Sequence, residues 1–410
     1  MWTDICSYFL GICGISKPKE AGLKITPTLY GKIGAHILNK AEDQKTKQPK
    51  KILIATNHAY MLWQFRRELI AELKKEHEVI LSLPFDEEQH EKPFQEMGVK
   101  CIDTPIERRG INPLTDFKLM KHYKKIFQEE RPDLVITYSI KPNVYAGLIC
   151  GSMGIPFCAN VQGLGTAFQK AGLAQFVTLL YKLAFRKVRT VFFENEANAE
   201  EFQKRNIIPV KKQKILHGAG INLERYPYQP YPENDKIHFL YLGRIMQEKG
   251  IDELFASVRS LHAERKDFVL DIVGFYEDDY KEQVESLVRD GIAVFHGFQE
   301  NPVPYYAAAD CIVLPSYHEG MSNVLLEAAA VGRPLVTSDI PGCREAVDPG
   351  VTGILVKVKD TESLREGMET FLNKTYVDRA LMGEAGRRRM EQIFDKTQVV
   401  KETITAIGIQ

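Results

Sequence analysis

Tyr317-His318-Glu319-Gly320-Met321-Ser322-Asn323-Val324-Leu325-Leu326-Glu327, continued by Ala328-Ala329-Ala330-Val331-Gly332-Arg333-Pro334, is the stretch whose reading decides the fold. Ahead of it, Ala309 to Ser316 (A-D-C-I-V-L-P-S) is an apolar segment of strand length that Pro315 closes. Behind it, Val324 to Ala330 are good helix formers, with Gly320 to free the turn and Ser322 or Asn323 to cap the helix. The pattern predicts a strand handing over to a helix whose positive end and orphan N–H groups suit a phosphate. Glu319 then lies beside the phosphate position, with Glu327 about two turns down the helix. Two carboxylates next to an anion site make sense where hydroxyl groups need acceptors, and a sugar nucleotide brings both. The same residues also fit a buried strand, a capped helix and two solvated glutamates.

Outward from this stretch, Ile237 to Leu242 reads as a strand, followed by Gly243-Arg244-Ile245-Met246-Gln247-Glu248-Lys249-Gly250 and a helix from Ile251. Arg244 and Lys249 stand in that loop, able to reach toward Glu319 and to neutralise a diphosphate; two basic surface residues by chance is the other reading. Further strands are predicted at 269–274, 293–297, 335–337 and 353–356, and the turn His296-Gly297-Phe298 could offer backbone hydrogen bonds to a base. Helical segments close the chain from Thr361 to Ile409. Tyr226 to Asp235 (Y-P-Y-Q-P-Y-P-E-N-D) carries three prolines and marks a linker between two apolar-rich halves.

The first half repeats the strand and helix alternation. Strands at 51–56, 78–82, 99–103, 133–137 and 190–194 are separated by helical stretches such as 117–130, which argues a parallel sheet covered on both faces. Ligands bind outside the carboxyl ends of such strands, so the loops after Thr56, Thr137 and Ala159 are candidates. They carry Asn57-His58 before a helix with Arg66 and Arg67, then Lys141, then Gly163-Leu164-Gly165. Phe168 stands where a third glycine would complete a dinucleotide fingerprint, so a nicotinamide site is not supported. Phe176 to Val188 spaces apolar residues on one helical face and gathers Lys182, Arg186, Lys187 and Arg189, as either a lipid-facing helix or a core helix with a charged rim.

The 410 residues predict two or three domains, and 44% hydrophobic with 26% charged residues is the composition of a globular protein with ample core. Lys+Arg and Asp+Glu both number 54, so no global field advertises nucleic acid and any anion site must be local. The seven cysteines form no C-x-x-C pair and read as reduced core residues of a cytosolic chain, not secreted and without a membrane span. Residues 1–50 hold an apolar run, Ile5 to Ile15, and then a Lys-rich stretch; a packed extension is favoured over a membrane-surface anchor.

From about Lys51 to the C-terminus the sequence resembles the family 4 glycosyltransferases, above all bacterial enzymes of capsule and lipid-linked glycan assembly that add N-acetylgalactosamine or a related hexosamine. The segments T-Y-S-I-K-P-N-V-Y-A-G (137–147), N-V-Q-G-L-G-T-A-F (160–168), G-R-I-M-Q-E-K-G (243–250) and P-S-Y-H-E-G-M-S-N-V-L-L-E-A (315–328) carry the resemblance. It implies an α/β GT-B fold, two Rossmann-like doubly wound domains facing a central cleft: an extension at 1–50, an acceptor domain at 51–225, a nucleotide-sugar domain at 226–390, and a helix at 391–410 returning to the first domain.

The resemblance also implies roles. Arg244 and Lys249 would hold the donor diphosphate, Glu319 the transferred sugar and Glu327 the ribose. Gly243, Gly320, Met321, Ser322, Asn323, Val324 and the turn His296, Gly297 and Phe298 would complete the donor site, with Gly163 and Gly165 near the reacting centre. Asn57, His58, Arg66, Arg67 and Lys141 are the candidate acceptor residues. Transfer from a UDP-sugar would retain anomeric configuration and need no metal or cofactor, the acceptor being a polyprenyl-diphosphate-linked saccharide met at the inner face of the cytoplasmic membrane. In one respect the chain departs from the pattern: many relatives carry a His after the strand that here ends at Thr137, where this chain has Tyr138, Ser139 and Lys141. A sugar-nucleotide epimerase or hydrolase, or a non-catalytic sugar-nucleotide-binding partner, are the rival expectations.

Overall fold

Ile52 and Ile54 of the first strand join one apolar layer, and Leu53 and Ala55 join another, so K-I-L-I-A is buried on both faces, as a strand inside a covered parallel sheet must be. The computed structural model describes residues 48–85, 88–107, 112–163, 168 and 171–409. In chain order the first half is β1 (Lys51–Ala55), α1 (Ala59–Lys74), β2 (Glu78–Leu83), α2 (Glu88–Glu96), β3 (Lys100–Asp103), α3 (Pro113–Glu130), β4 (Leu134–Tyr138), α4 (Ile140–Met153), β5 (Phe157–Val161), α5 (Ala171–Ala184), β6 (Thr190–Phe193), α6 (Glu196–Lys204) and β7 (Gln213–Ile215). These strands are parallel, in the order β3-β2-β1-β4-β5-β6-β7.

The second half is β8 (Ile237–Leu242), α7 (Ile251–Glu264), β9 (Phe268–Val273), α8 (Lys281–Arg289), β10 (Ala293–Gly297), α9 (Val303–Ala308), β11 (Cys311–Leu314), α10 (Asn323–Val331), β12 (Leu335–Ser338), β13 (Gly353–Val356), α11 (Thr361–Leu372), α12 (Tyr376–Ile393) and α13 (Lys396–Ile407). Its sheet is again parallel, ordered β10-β9-β8-β11-β12-β13. Strand order reverses between β1 and β4 in one sheet and between β8 and β11 in the other, which is where doubly wound sheets hold their ligands.

The proline-rich stretch at 226–235 is packed rather than loose. Tyr226 and Tyr231 are buried, and the buried Arg333 guanidinium donates to the carbonyls of Gln229 (3.1 Å) and Pro230 (2.9 Å). The chain crosses back near Asp395, where Ile221 N donates to Phe394 O (2.7 Å) and Lys396 N to Ile221 O (3.0 Å). α13 then packs on α1, burying Val400, Ile407 and Ile409 in the layer that holds Leu62, Leu69 and Leu73. Each such side chain contributes about 1.5–3 kcal/mol.

Arg189 Nη1 donates to Ile407 O (3.0 Å) at the end of α13, and Lys187 Nζ to Gly151 O (2.9 Å). The basic cluster expected on α5 is therefore smaller than its sequence suggests, because two of its four cations serve backbone carbonyls. Cys150, Cys158, Cys311 and Cys343 are free and buried, and burial pushes the Cys158 thiol up to about 11. The apolar run Ile5 to Ile15, with Cys6 and Cys13, lies outside the described residues. Among those described, no helix is long and apolar enough to cross a membrane.

Asp271 on β9 ties three adjacent strands together: His238 Nδ1 on β8 and His296 Nε2 on β10 each lie 2.7 Å from one of its oxygens. The hydrogen bond to Asp271 raises the His238 pKa against the opposing effect of burial. Burial works to raise the Asp271 pKa, but hydrogen bonds from the two imidazoles outweigh it and lower it. The His238 contribution to stability is thus complete below about pH 6.5, its ordinary value, and is lost as pH rises through the higher folded pKa. The Asp271 contribution is present above about pH 3.9 and lost as pH falls through its lowered value. Asp271→Asn is expected to flatten the decline in urea midpoint between pH 6 and 8.5; equal slopes in the two proteins would disprove the tie.

Candidate active site

The loop after β8 and the turn after β11 leave neighbouring strands and lock together at Gly250. This residue adopts the left-handed conformation (φ 72°) between a short 3-10 turn and α7, and a Cβ there would strike the Pro315 carbonyl. The fit brings Lys249 Nζ to 2.5 Å from Glu319 Oε1, with the side chains only 18% and 14% exposed. Ser316 Oγ donates to the same oxygen (2.9 Å). The expected meeting of these loops is present.

The neighbouring turn differs from expectation in its causes. Gly320 is needed for close approach rather than for turning, since a Cβ would collide with the Gln162 carbonyl of the other half. Asn195 Nδ2 also donates to Gly320 O (2.6 Å), so two residues of the first half hold this turn. No side-chain hydrogen bond caps α10; Ser322 N donates instead to Gly342 O (2.8 Å). A helix start without a side-chain cap keeps its N–H groups available to an anion.

A cavity of about 480 Å³ lies here. Arg244, Lys249 and Glu319 line it together with Gly243, Gly320 and the start of α10 from Met321 to Val324, while Gln162, Gly163 and Glu194 close it from the first half. Arg244 does not reach Glu319; its Nη1 lies 3.7 Å from Glu277 Oε1. The partner turn His296-Gly297-Phe298 is not part of this lining. Two of its three carbonyls are occupied, His296 O accepting from Gln299 Nε2 (2.7 Å) and Gly297 O from Gly274 N (2.9 Å). Gly165 lies outside the described residues.

Glu327 stands apart from the other three. Because α10 starts only at Asn323, Glu327 sits about one turn into the helix rather than two, and it lines a separate hollow of about 10 Å³ with Asn323, Arg225 and Lys396. Tyr306 Oη donates to its Oε2 (2.9 Å). Burial pushes the Glu327 carboxyl up against the lowering effect of the Tyr226 and Tyr306 hydroxyls; Tyr226 is close enough to act on it but makes no hydrogen bond of proper geometry.

The residues expected to meet an acceptor divide as well. Arg66 is buried rather than exposed, its Nη2 2.8 Å from Glu194 Oε1 and its guanidinium over the Tyr138 ring at 5.3 Å. Arg67 pairs with Glu68 (3.3 Å) and lies over Trp63. Neither offers a free surface cation. Asn57 and Lys141 do share a cavity of about 260 Å³ with Gln162 and Gly163, whereas His58 is not in its lining. Ser139, in the loop after β4, also lines it and is held at φ 73°, ψ 159°, a conformation costing about 1–3 kcal/mol for a residue with a side chain.

Among the charged residues lining the central cavity, Glu194 is the one that sequence reasoning passed over. Burial raises its pKa against the charge and hydrogen bond of Arg66. An acidic residue ending the apolar strand T-V-F-F at a carboxyl edge was the available signal.

This arrangement pairs an ammonium, a guanidinium and a helix start with carboxylates in one cavity between two α/β halves. Residues 51–195 match the family described as glycosyl transferase 4-like, and residues 236–374 match glycosyl transferases group 1. The chain is 29% identical over 76% of its length, and 86% of the relative's, to the N,N'-diacetylbacillosaminyl-diphospho-undecaprenol alpha-1,3-N-acetylgalactosaminyltransferase of Campylobacter jejuni. A second Campylobacter jejuni protein, N-acetylgalactosamine-N,N'-diacetylbacillosaminyl-diphospho-undecaprenol 4-alpha-N-acetylgalactosaminyltransferase, is 25% identical over 82% of this chain and 93% of its own. The Staphylococcus aureus capsular polysaccharide biosynthesis glycosyltransferase CapM is 24% identical over 73% and 82%. Among solved structures, HepE of Anabaena in complex with UDP superposes with a TM-score of 0.73 at 16% identity, covering 88% of this chain and all of that one. Matched across both halves in sequence and fold, the chain belongs to the family 4 glycosyltransferases and has their GT-B architecture.

Proposed function

We propose that this glycosyltransferase moves a hexosamine, of the N-acetylgalactosamine type, from a UDP-sugar to a saccharide carried on a polyprenyl diphosphate, in the assembly of a capsule, O-antigen or glycoprotein glycan. The observation that carries the reading is the Lys249–Glu319 pair beside the start of α10, supported by the activities named for the two Campylobacter relatives. Lys249 and Arg244 neutralise the diphosphate, the task a divalent metal performs elsewhere, and Glu319 faces the transferred sugar. An acceptor hydroxyl attacks C1 as the bond from C1 to the phosphate oxygen breaks; its proton passes to the departing UDP on the same face, so configuration is retained. Glu327 takes the ribose hydroxyls once its hollow, now about 10 Å³, widens between α1 and α10.

The acceptor enters from the first half, at the cavity of Asn57 and Lys141. Peripheral contact with the inner membrane face is assigned to α5, which exposes Phe176, Leu179 and Leu183 opposite its core face and carries Lys182, with Arg186 in the 3-10 turn that follows it. No acidic residue occurs from Ala171 to Arg189, a composition suited to anionic head groups.

The test is incubation of the full chain with UDP-N-acetylhexosamines and a short polyprenyl diphosphate saccharide, without added divalent metal and with EDTA. Elongated lipid-linked product with an α-anomeric proton signal is expected. UDP-sugar turnover that is indifferent to acceptor would instead favour an epimerase or hydrolase.

A further inference from the structure

Two cavities lie in line on the acceptor side. The inner one, about 260 Å³, shares Gln162 and Gly163 with the central cavity. The outer one, about 490 Å³, shares Lys141 with the inner and runs between the segment after β3 and the first turns of α3. Lys141 at the junction is held by Asp116 (Nζ to Oδ1, 2.8 Å), both side chains being nearly buried. Asp116 Oδ2 is buried without a hydrogen bond. Burial, followed by hydrogen bonding and charge from Asp116, raises the Tyr145 pKa, so the Tyr145 hydroxyl stands at this carboxylate without reaching proper hydrogen-bond geometry to Oδ2. A buried carboxylate oxygen left in this state is costly unless a donor arrives.

The chemistry of the outer lining selects among ligands. Glu107 and Asp116 balance Lys118 and Lys141, so the wall has no net charge and is poorly suited to a diphosphate. It instead combines acceptors and donors with the apolar side chains of Pro105, Ile106 and Leu119, a lining that suits the hydroxyl edges and C–H face of a neutral sugar. Lys118 Nζ has no partner among the described residues.

We infer that the outer cavity is a second saccharide subsite, so that the acceptor is at least two sugars long: the sugar being extended lies in the inner cavity and its neighbour lies against Asp116, Thr115 and Lys118. The inference rests on the reading of the chain as a transferase to lipid-linked saccharides. It concerns a property on which the two Campylobacter relatives differ by name, one acceptor carrying a single sugar and the other two.

The experiment compares polyprenyl diphosphates bearing one and two N-acetylhexosamine residues. The wild-type chain is expected to favour the two-sugar acceptor by about tenfold or more in kcat/KM, the order that loss of one sugar's contacts brings. Thr115→Trp, on a partly exposed position at the cavity mouth, should bring the ratio of the two acceptors toward one. Asp116→Asn should move it the same way through acceptor KM rather than donor KM, with its thermal midpoint reporting that it is folded. A wild-type ratio within about threefold, or a ratio that Thr115→Trp leaves in place, overturns the subsite while leaving the transferase reading intact. No transfer to either acceptor, with the UDP-sugar still shown to bind by thermal shift, overturns the acceptor class and the subsite with it.

Discussion

Glu319→Gln lowers kcat by about 100- to 1000-fold, the usual cost of removing one preorganised group facing developing charge, and leaves the donor KM level or lower. The sign of the KM effect follows from the pair. With the carboxylate gone, the Lys249 ammonium, 2.5 Å from it in the structure, is free to lie on the donor phosphate. Lys249→Met has the opposite signature: it strands the mostly buried Glu319 charge beside the incoming diphosphate, so the donor KM rises and kcat falls together. Initial rates over a range of UDP-sugar concentrations separate the two. A Glu319→Gln enzyme that keeps kcat within about threefold would remove Glu319 from the chemistry.

Arg66→Met is expected to cost about 3–5 kcal/mol of stability, because it leaves Glu194 buried without its cation and Arg66 Nη2 is the group 2.8 Å from that carboxylate. Since burial already raises the Glu194 pKa, part of the penalty is relieved by protonation, and the loss shrinks as pH is lowered. The double variant Arg66→Met with Glu194→Gln should recover most of it. Urea unfolding of the three proteins at two pH values reads the result, and a single variant that loses under 1 kcal/mol would show that the pair is not what holds this wall.

The parts of the fold written in local periodicity were legible. Ile237–Leu242, Ala293–Gly297 and Gly353–Val356 end where their apolar runs end, and Arg244 and Lys249 fall in a loop whose place beside Glu319 follows from β8 and β11 being neighbours. What was not legible depended on contacts made at a distance. Arg66 reads as a surface cation in R-R-E-L, and its partner lies 128 residues away. Ser322 has the side chain of a cap, but that side chain accepts no hydrogen bond from the helix, and the residue is tied instead through its amide to Gly342. Glu327 was placed a turn too far because the helix begins at Asn323, beyond the turn that Gln162 and Asn195 hold from the other half. Just past α5, nothing in the sequence of Lys187 and Arg189 announces that carbonyls at Gly151 and Ile407 claim them.

The second crossing, at Asp395, bears on how the gene can be divided. Cutting at the proline-rich stretch would leave the downstream piece carrying α13 with Val400, Ile407 and Ile409 bare to water, and the upstream piece lacking the helix that seals Leu62, Leu69 and Leu73. The two halves are separate sheets but not separable products of expression, and a workable split has to assign residues 396–409 to the amino-terminal fragment, in trans or by permutation.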